Sequence, residues 1–269
     1  MKKLLLLLAL TILTACANNT QNESFGIVSL SPSITETLLH LGLSDYIIGI
    51  DIHSERFGFS EDIPRFNMFS LDTEYLTMLN PEIIFAAFPT DEILDITIIP
   101  PANSLSEIED QIKLIGSLTE REEEADLLID NMNTRIYNMI NFLNESFGEN
   151  PITAYFEIST DPSIFTTGNG TFLNNILETL GVTNIFQDVP GWIPVVEEEV
   201  ISRNPQIIFT NVAELEDPVA EIINRSGWEV ITAVREGNVF YIDSHASSSS
   251  NHNIALAVEQ IAAALIQAR

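Results

Sequence analysis

At 269 residues, 45% hydrophobic and 19% charged, the chain is long enough for one large or two modest domains with proper cores. That excludes a disordered chain, a collagen-like fibre and a small disulfide-stapled scaffold. Eleven Lys and Arg against 39 Asp and Glu give a formal charge of −28, and a surface this acidic repels phosphate backbones, which speaks against a nucleic-acid partner.

The chain opens with Lys2 and Lys3 ahead of an apolar run from Leu4 to Leu13. This run is too short to span a bilayer of roughly 30 Å but suits a signal peptide. It ends in Leu13-Thr14-Ala15-Cys16, the pattern of a bacterial lipobox, and Cys16 is the only cysteine. Residues 1–15 therefore read as a lipoprotein signal peptide, Cys16 as a lipidation site and 16–24 as a polar tether. Ordinary secretion with an unpaired thiol is the alternative. The expected location is exported and membrane-anchored, on the periplasmic or extracellular face.

Beyond the tether, short β-rich runs alternate with helical stretches, so the class is α/β. Strands are expected at Gly26–Leu30, Tyr46–Ile50, Ile83–Ala87, Ile96–Ile99, Thr153–Ile158, Ile207–Thr210 and Val239–Ile242. They are mostly continuous apolar runs, as parallel strands covered on both faces require. Ser33 with Glu36, and Ser104 with Glu107, have capping-box spacing, while Gly42 and Gly181 mark helix ends. Between the halves, Leu128, Met132, Ile136, Met139, Ile140, Leu143 and Phe147 step by three and four. That spacing predicts one long amphipathic helix opened by Thr119 with Glu122 at N3.

The body of the chain repeats itself. Asn80-Pro81-Glu82-Ile83-Ile84-Phe85 recurs as Asn204-Pro205-Gln206-Ile207-Ile208-Phe209, and Leu38, Leu41 and Gly42 are echoed by Leu177, Leu180 and Gly181. The same order of elements in each half implies two related lobes. The expected divisions are an N-terminal lobe over 25–118, a connecting helix over 119–147 and a C-terminal lobe over 148–269.

Several stretches carry a family resemblance. The run Ile27 to Glu36, the unit Leu76 to Ala87, the Gly-centred turn Phe165 to Phe172, Asn184-Ile185-Phe186, Val189-Pro190-Gly191-Trp192, and Gly227-Trp228 through Phe240 occur in an order that resembles the ABC-importer substrate-binding proteins with a helical backbone. These are receptors for vitamin B12, ferric siderophores and haem, and the Pro-Gly-Trp stretch leans toward the cobalamin branch. The resemblance implies two Rossmann-like lobes joined by one long backbone helix with a ligand cleft between them. It also implies a monomer that carries no cofactor, captures a small-molecule chelate and delivers it to an ABC permease and ATPase complex. One departure stands out: seven residues separate Phe88 from Ile96, where the family usually places a full helix.

In such receptors an acid on each lobe tip meets permease arginines, and local alignment puts these at Glu74 and Glu198, each seven residues before the repeated proline. A carboxylate favoured by a helix start is the plainer explanation, and Glu198 lies within Glu197-Glu198-Glu199. For the ligand, the first lobe offers His53, Met68 and Phe88, and the second offers Trp192 and His245. Aromatics suit a flat ligand because they bury area with little side-chain entropy lost. His53 could hydrogen-bond a ligand or approach a metal centre, or be a plain surface residue. The serines between His245 and His252 could bind ligand groups or form a solvated connection. His40, between leucines on the first helix, reads as structural.

No Gly-x-Ser-x-Gly, His-Glu-x-x-His or Gly-x-x-x-x-Gly-Lys motif is present, which speaks against an enzyme. A bare transition-metal site would gather three or four His and carboxylate ligands, and only His53 and His245 are roughly placed for one. Cobalamin leads among chelates, ahead of ferric siderophores and haem; Arg56 and Arg65 are the first-lobe candidates for meeting an anionic chelate.

Overall fold

A computed structural model describes residues 25–90, 95–146, 152–160 and 162–268. The signal peptide, Cys16 and the tether lie outside the described residues, as do residues 91–94 and 147–151, Phe147 among them.

The first half builds a sheet from β1 (Ile27–Ser29), β2 (Ile47–Asp51), β3 (Arg65–Phe66), β4 (Ile83–Ala86) and β5 (Thr97–Ile98). Its order is β3-β2-β1-β4-β5 and every pairing is parallel. Helix α1 (Pro32–His40) crosses from β1 to β2, and α2 (Thr73–Met78) from β3 to β4. Two long helices follow, α3 (Leu105–Leu118) and α4 (Glu122–Ser146); α4 has 25 residues and is about 38 Å long.

The second half contains β6 (Ile152–Ser159), β7 (Phe165–Thr167), α5 (Phe172–Thr179), β8 (Val182–Asn184), β9 (Trp192–Pro194), α6 (Glu197–Arg203), β10 (Ile207–Thr210), α7 (Pro218–Asn224), α8 (Thr232–Glu236), β11 (Val239–Tyr241), α9 (Ser244–Ser248) and α10 (Ile254–Gln267). Its sheet runs β11-β10-β6-β7-β9, with β8 also against β6. The parallel series β8-β6-β10-β11 reproduces β2-β1-β4-β5 of the first half, so the sequence repeat is a repeat of sheet topology. Asn80 and Asn204 both take the left-handed conformation, at φ 47° and 46°, which Asn tolerates better than other side chains and which turns the chain into the following proline and strand.

Strands β1, β4 and β10 are buried almost throughout, which explains their unbroken apolar character. The main core is continuous across both halves: Ile27, Leu38 and Phe85 belong to one cluster with Phe156, Phe209 and the α10 residues Ala257 and Ile261. Helices α3, α4 and α10 pack side by side along this seam. Arg135 on α4 clasps Glu259 on α10 with two bonds of 2.8 and 2.7 Å, and Asn133 donates to Glu109 on α3 at 3.0 Å.

Local expectations fare unevenly. Ser104 caps α3 as its spacing predicts, accepting from Glu107 N at 3.2 Å, and Gly42 and Gly181 follow helix ends with φ of 74° and 72°. Ser33, by contrast, lies inside α1, because Pro32 occupies the first turn and moves the cap to Ser31. Thr119 closes α3 instead of opening the long helix: its hydroxyl donates back to Ile115 O at 2.7 Å, and α4 starts at Glu122. Strands β3, β7, β8 and β9 escape the sequence reading, and β7 and β9 run antiparallel to their neighbours. In the connection from β4 to β5, described residues 87–90 and 95–96 are not helical.

Candidate functional site

Open parallel sheets place their functional loops at the strands' carboxyl ends. There, the first half encloses a hollow of about 190 Å³, lined by Leu30–Pro32, Asp51–His53, Phe66–Phe69 and Ala87–Phe88. His53, Met68 and Phe88 all line it. Two local devices shape its wall. Buried Asp51 accepts from His53 N at 2.8 Å and from the Ser54 hydroxyl, which itself lies 3.1 Å from Thr35 Oγ1 on α1. Asn67 Oδ1 accepts from Phe69 N at 2.9 Å, a turn that holds the Phe69 ring 98% exposed at the lip. Phe88 is 62% exposed on the opposite side. Apart from His53 and Asp51, the lining carries no ionisable group.

The second half has its own hollow of about 220 Å³, bounded by Ile158, Phe172, Leu173, Trp192, Asn211, Ser247 and Ser248. Trp192 is held by an unusually close backbone approach. Gly168 N donates to Gly191 O at 2.9 Å, Asn169 N donates to Val189 O at 2.8 Å, and a β-carbon at Gly168 would stand 2.1 Å from Val189 O. The glycine-centred turn and the Pro-Gly-Trp stretch are therefore one structural unit. It presents the Trp192 ring, 43% exposed, edge-on to Phe172 at 5.4 Å. Asn211 donates to the Ser247 and Ser248 hydroxyls at 3.0 and 3.3 Å, so this hollow sets a polar edge beside its apolar side chains where the first is almost wholly apolar.

His245 lines neither hollow and instead joins the halves. Its Nε2 bonds Glu36 Oε1 at 2.8 Å, and its ring packs 5.7 Å from Phe57. Glu36, only 5% exposed on α1, also accepts from Asn251 Nδ2 at 2.7 Å and from Asn253 Nδ2. Behind this knot His252 is buried with both ring nitrogens unpartnered, 4.0 Å from the His40 ring. Burial, then the charges of His40, Arg135 and His245, push the His252 imidazole down to about 3. His40 Nδ1 is tied to Glu36 O at 3.0 Å, and so serves the helix and this contact.

Glu74 and Glu198 are each the second residue of their helix, α2 and α6, and both helices begin at the carboxyl-end face of their sheet. Both side chains are exposed, with no partner among the described residues. Their neighbours in the acidic triplet are occupied: Glu197 accepts from Trp228 Nε1 at 2.9 Å and Glu199 pairs with Arg203 at 2.9 Å. Trp228 is in turn fixed by Arg225, whose guanidinium lies 4.2 Å above its ring and bonds buried Glu157 at 2.8 and 3.0 Å. Burial alone would lower the Arg225 guanidinium; its bonds to Glu157 and Glu221 outweigh that and raise it.

Arg65 pairs with Glu55 at 2.6 Å and donates to loop carbonyls, away from the hollow. Among the described residues no group of three or more His, Cys, Asp or Glu is arranged to hold a metal ion, and no helix is long and apolar enough to cross a membrane. Sequence reasoning missed Phe69, Ile52 and Asn211. Phe69 left one usable signal, an aromatic inside the polar turn Asn67–Ser70.

A family model described as periplasmic binding protein matches residues 27–246. An ABC transporter substrate-binding lipoprotein of Bacillus subtilis, YvrC, is 26% identical over 254 residues, covering 90% of this chain and 80% of that protein. Among solved structures, a possible iron-binding periplasmic solute-binding protein of Staphylococcus epidermidis matches with TM-score 0.77 at 28% identity, covering 90% of this chain and 98% of that one. The periplasmic vitamin B12 binding protein of Vibrio cholerae matches with TM-score 0.74 at 24% identity, covering 91% and 97%.

Proposed function

The chain belongs to the periplasmic binding protein family, and from that premise we propose that it captures cobalamin and hands it to the permease of an ABC importer. The observation that carries this reading is the pair of unlike hollows. At about 190 and 220 Å³, each is smaller than the roughly 300–1,000 Å³ of a complete small-molecule site, which supports reading them as two halves of one. A corrin ring offers a broad apolar body fringed with amides. The body suits Met68, Phe69, Phe88 and the Trp192 face, and the amides suit Asn211, Ser247 and Ser248. Haem is the second reading, favoured by the exposed His53 at the lip of the first hollow.

The lobes divide at 25–118 and 148–269, with the intervening helix setting their spacing. Glu74 and Glu198, free of internal partners among the described residues and placed alike on their lobes, meet permease arginines. Cys16 carries the lipid; changing Cys16→Ala releases the protein from the membrane fraction in a fractionation assay.

Titration calorimetry on protein beginning at Ala17 tests the ligand, with cyanocobalamin, haemin and a ferric siderophore panel. Cobalamin binding tighter than about 1 μM, weakened by Trp192→Ala, supports the reading. Binding to haemin or a siderophore alone keeps the transport role and overturns the cobalamin assignment.

A further inference from the structure

Asn169-Gly170 is the only Asn-Gly pair in the chain, and it sits in the turn that holds Trp192. Asn169 is exposed, and its side-chain amide makes no hydrogen bond among the described residues. The Gly170 N–H has no partner there either, and open space surrounds the point where a β-carbon would stand. Other asparagines differ in kind. Asn80 and Asn204 precede proline, which has no N–H to react, while Asn133, Asn174, Asn184 and Asn251 have their amides engaged.

Asparagine is thermolabile because the next main-chain nitrogen can attack its side-chain carbonyl, and a following glycine puts no side chain in the way. Here Gly170 N forms a bond to Asn169 Cγ. The Cγ–Nδ2 bond breaks, and the proton lost from Gly170 N leaves with Nδ2 as ammonia. Water then opens the succinimide ring. Opening at Cγ gives aspartate; opening at the main-chain carbonyl gives isoaspartate, whose chain runs through Cβ and Cγ and is one carbon longer.

The turn has no slack for that carbon. On one side, Asn169 N donates to Val189 O and Gly191 N donates back to Asn169 O, both at 2.8 Å. On the other, Thr171 Oγ1 donates to Gly168 O at 2.8 Å and accepts from Asn174 N at 3.3 Å, capping α5. Lengthening the chain between them breaks one set or the other. The first set positions Trp192 and the second Phe172, and both residues wall the second hollow.

We infer that Asn169 is a site of spontaneous deamidation, and that its isoaspartate form dismantles the wall of the second hollow. The consequence for cargo rests on Trp192 facing the ligand; the modification does not.

The test holds wild type, Asn169→Gln and Asn169→Asp warm at alkaline pH, where the Gly170 N–H proton is lost more readily. Peptide mapping should find the mass gain of amide-to-acid conversion at Asn169 ahead of every other asparagine, with isoaspartate among the products. Acrylamide quenching of tryptophan should rise in aged wild type and stay level in aged Asn169→Gln and in aged Trp192→Phe. Fresh Asn169→Asp, which carries the charge without the longer chain, should match fresh wild type. The isoaspartate fraction should bind cyanocobalamin or haemin, whichever fresh wild type binds, about fivefold more weakly, with Asn169→Asp within about twofold. Conversion at Asn169 no faster than elsewhere overturns the site. Conversion with unchanged quenching overturns its hold on the wall. If fresh wild type binds neither ligand, the cobalamin and haem readings fall, and mapping and quenching still decide Asn169.

Discussion

The two lobes share a frame and differ in what is hung on it. In both, a central strand is flanked by the same neighbours, and an Asn in the left-handed conformation precedes the proline that launches the next strand. The first lobe adds little: its sheet is wholly parallel, the link from β4 to β5 is short, and its hollow is apolar. The second inserts β7 and β9 to carry Trp192, and residues 211–238 supply α7, the Trp228 turn and α8, pinned by the Arg225–Glu157 pair. The frame therefore sets where the two hollows lie, and the insertions bring Trp192 and Asn211 to the second.

If the second lobe depends on its buried ion pair, Arg225→Met should cost about 3–5 kcal/mol by denaturant unfolding, because Glu157 would be left buried and unpaired. The first-lobe counterpart, Arg65→Met, breaks a more exposed pair and should cost below about 1 kcal/mol. Equal costs would erase the contrast.

The next effect is on ligand affinity. Trp192→Ala should lose about 2 kcal/mol of binding, and Gly168→Ala should lose a similar amount without touching the ring, because the added methyl forces Val189 and Trp192 aside. A Gly168→Ala protein that binds normally would show that the turn does not position Trp192.

The junction between the lobes should be acid-sensitive. His252 in the folded chain holds its proton only below about 3, whereas the unfolded chain takes it up near 6.5. Stability is therefore whole above 6.5 and falls as pH drops toward 3, by up to about 1.4 kcal/mol per unit. Melting curves against pH should show a shallower acid limb for His252→Leu, and superimposable limbs would contradict this.

The smallest effect separates the two repeated asparagines. Asn80→Ala should cost about 1 kcal/mol through the left-handed backbone alone. Asn204→Ala should cost about twice that, since Asn204 Oδ1 also accepts from Thr232 N at 2.7 Å.

Legibility in the sequence follows the same division. The frame is readable because it is local and repeated: the Asn-Pro units, Gly42 and Gly181, the Ser104 cap and the apolar strands are dictated by neighbours in sequence. The insertions are not. Strands β7 and β9 have three residues each and exist because Gly168 lets two backbones touch, which no periodicity reveals. Thr119 and Ser33 show the ambiguity of capping signals, since the same Ser/Thr-x-x-Glu pattern serves a helix end in one case and a helix interior in the other. The knot between the lobes leaves no motif at all. His245, Asn251 and Asn253 lie more than 200 positions from Glu36 along the chain, and only folding brings them onto its carboxylate. Phe69 left only its place in the turn Asn67–Ser70 as a signal, because composition cannot tell an exposed ring from a core one.

The claim that one cargo bridges two unlike hollows is tested most directly by amide hydrogen exchange on the protein loaded with the chelate that titration identifies. Slowed exchange in both 52–69 and the pair 168–192 and 244–248, relative to the empty protein, is the expected result. Protection confined to one lobe would contradict it, leaving a single hollow as the binding site and the other lobe as scaffold.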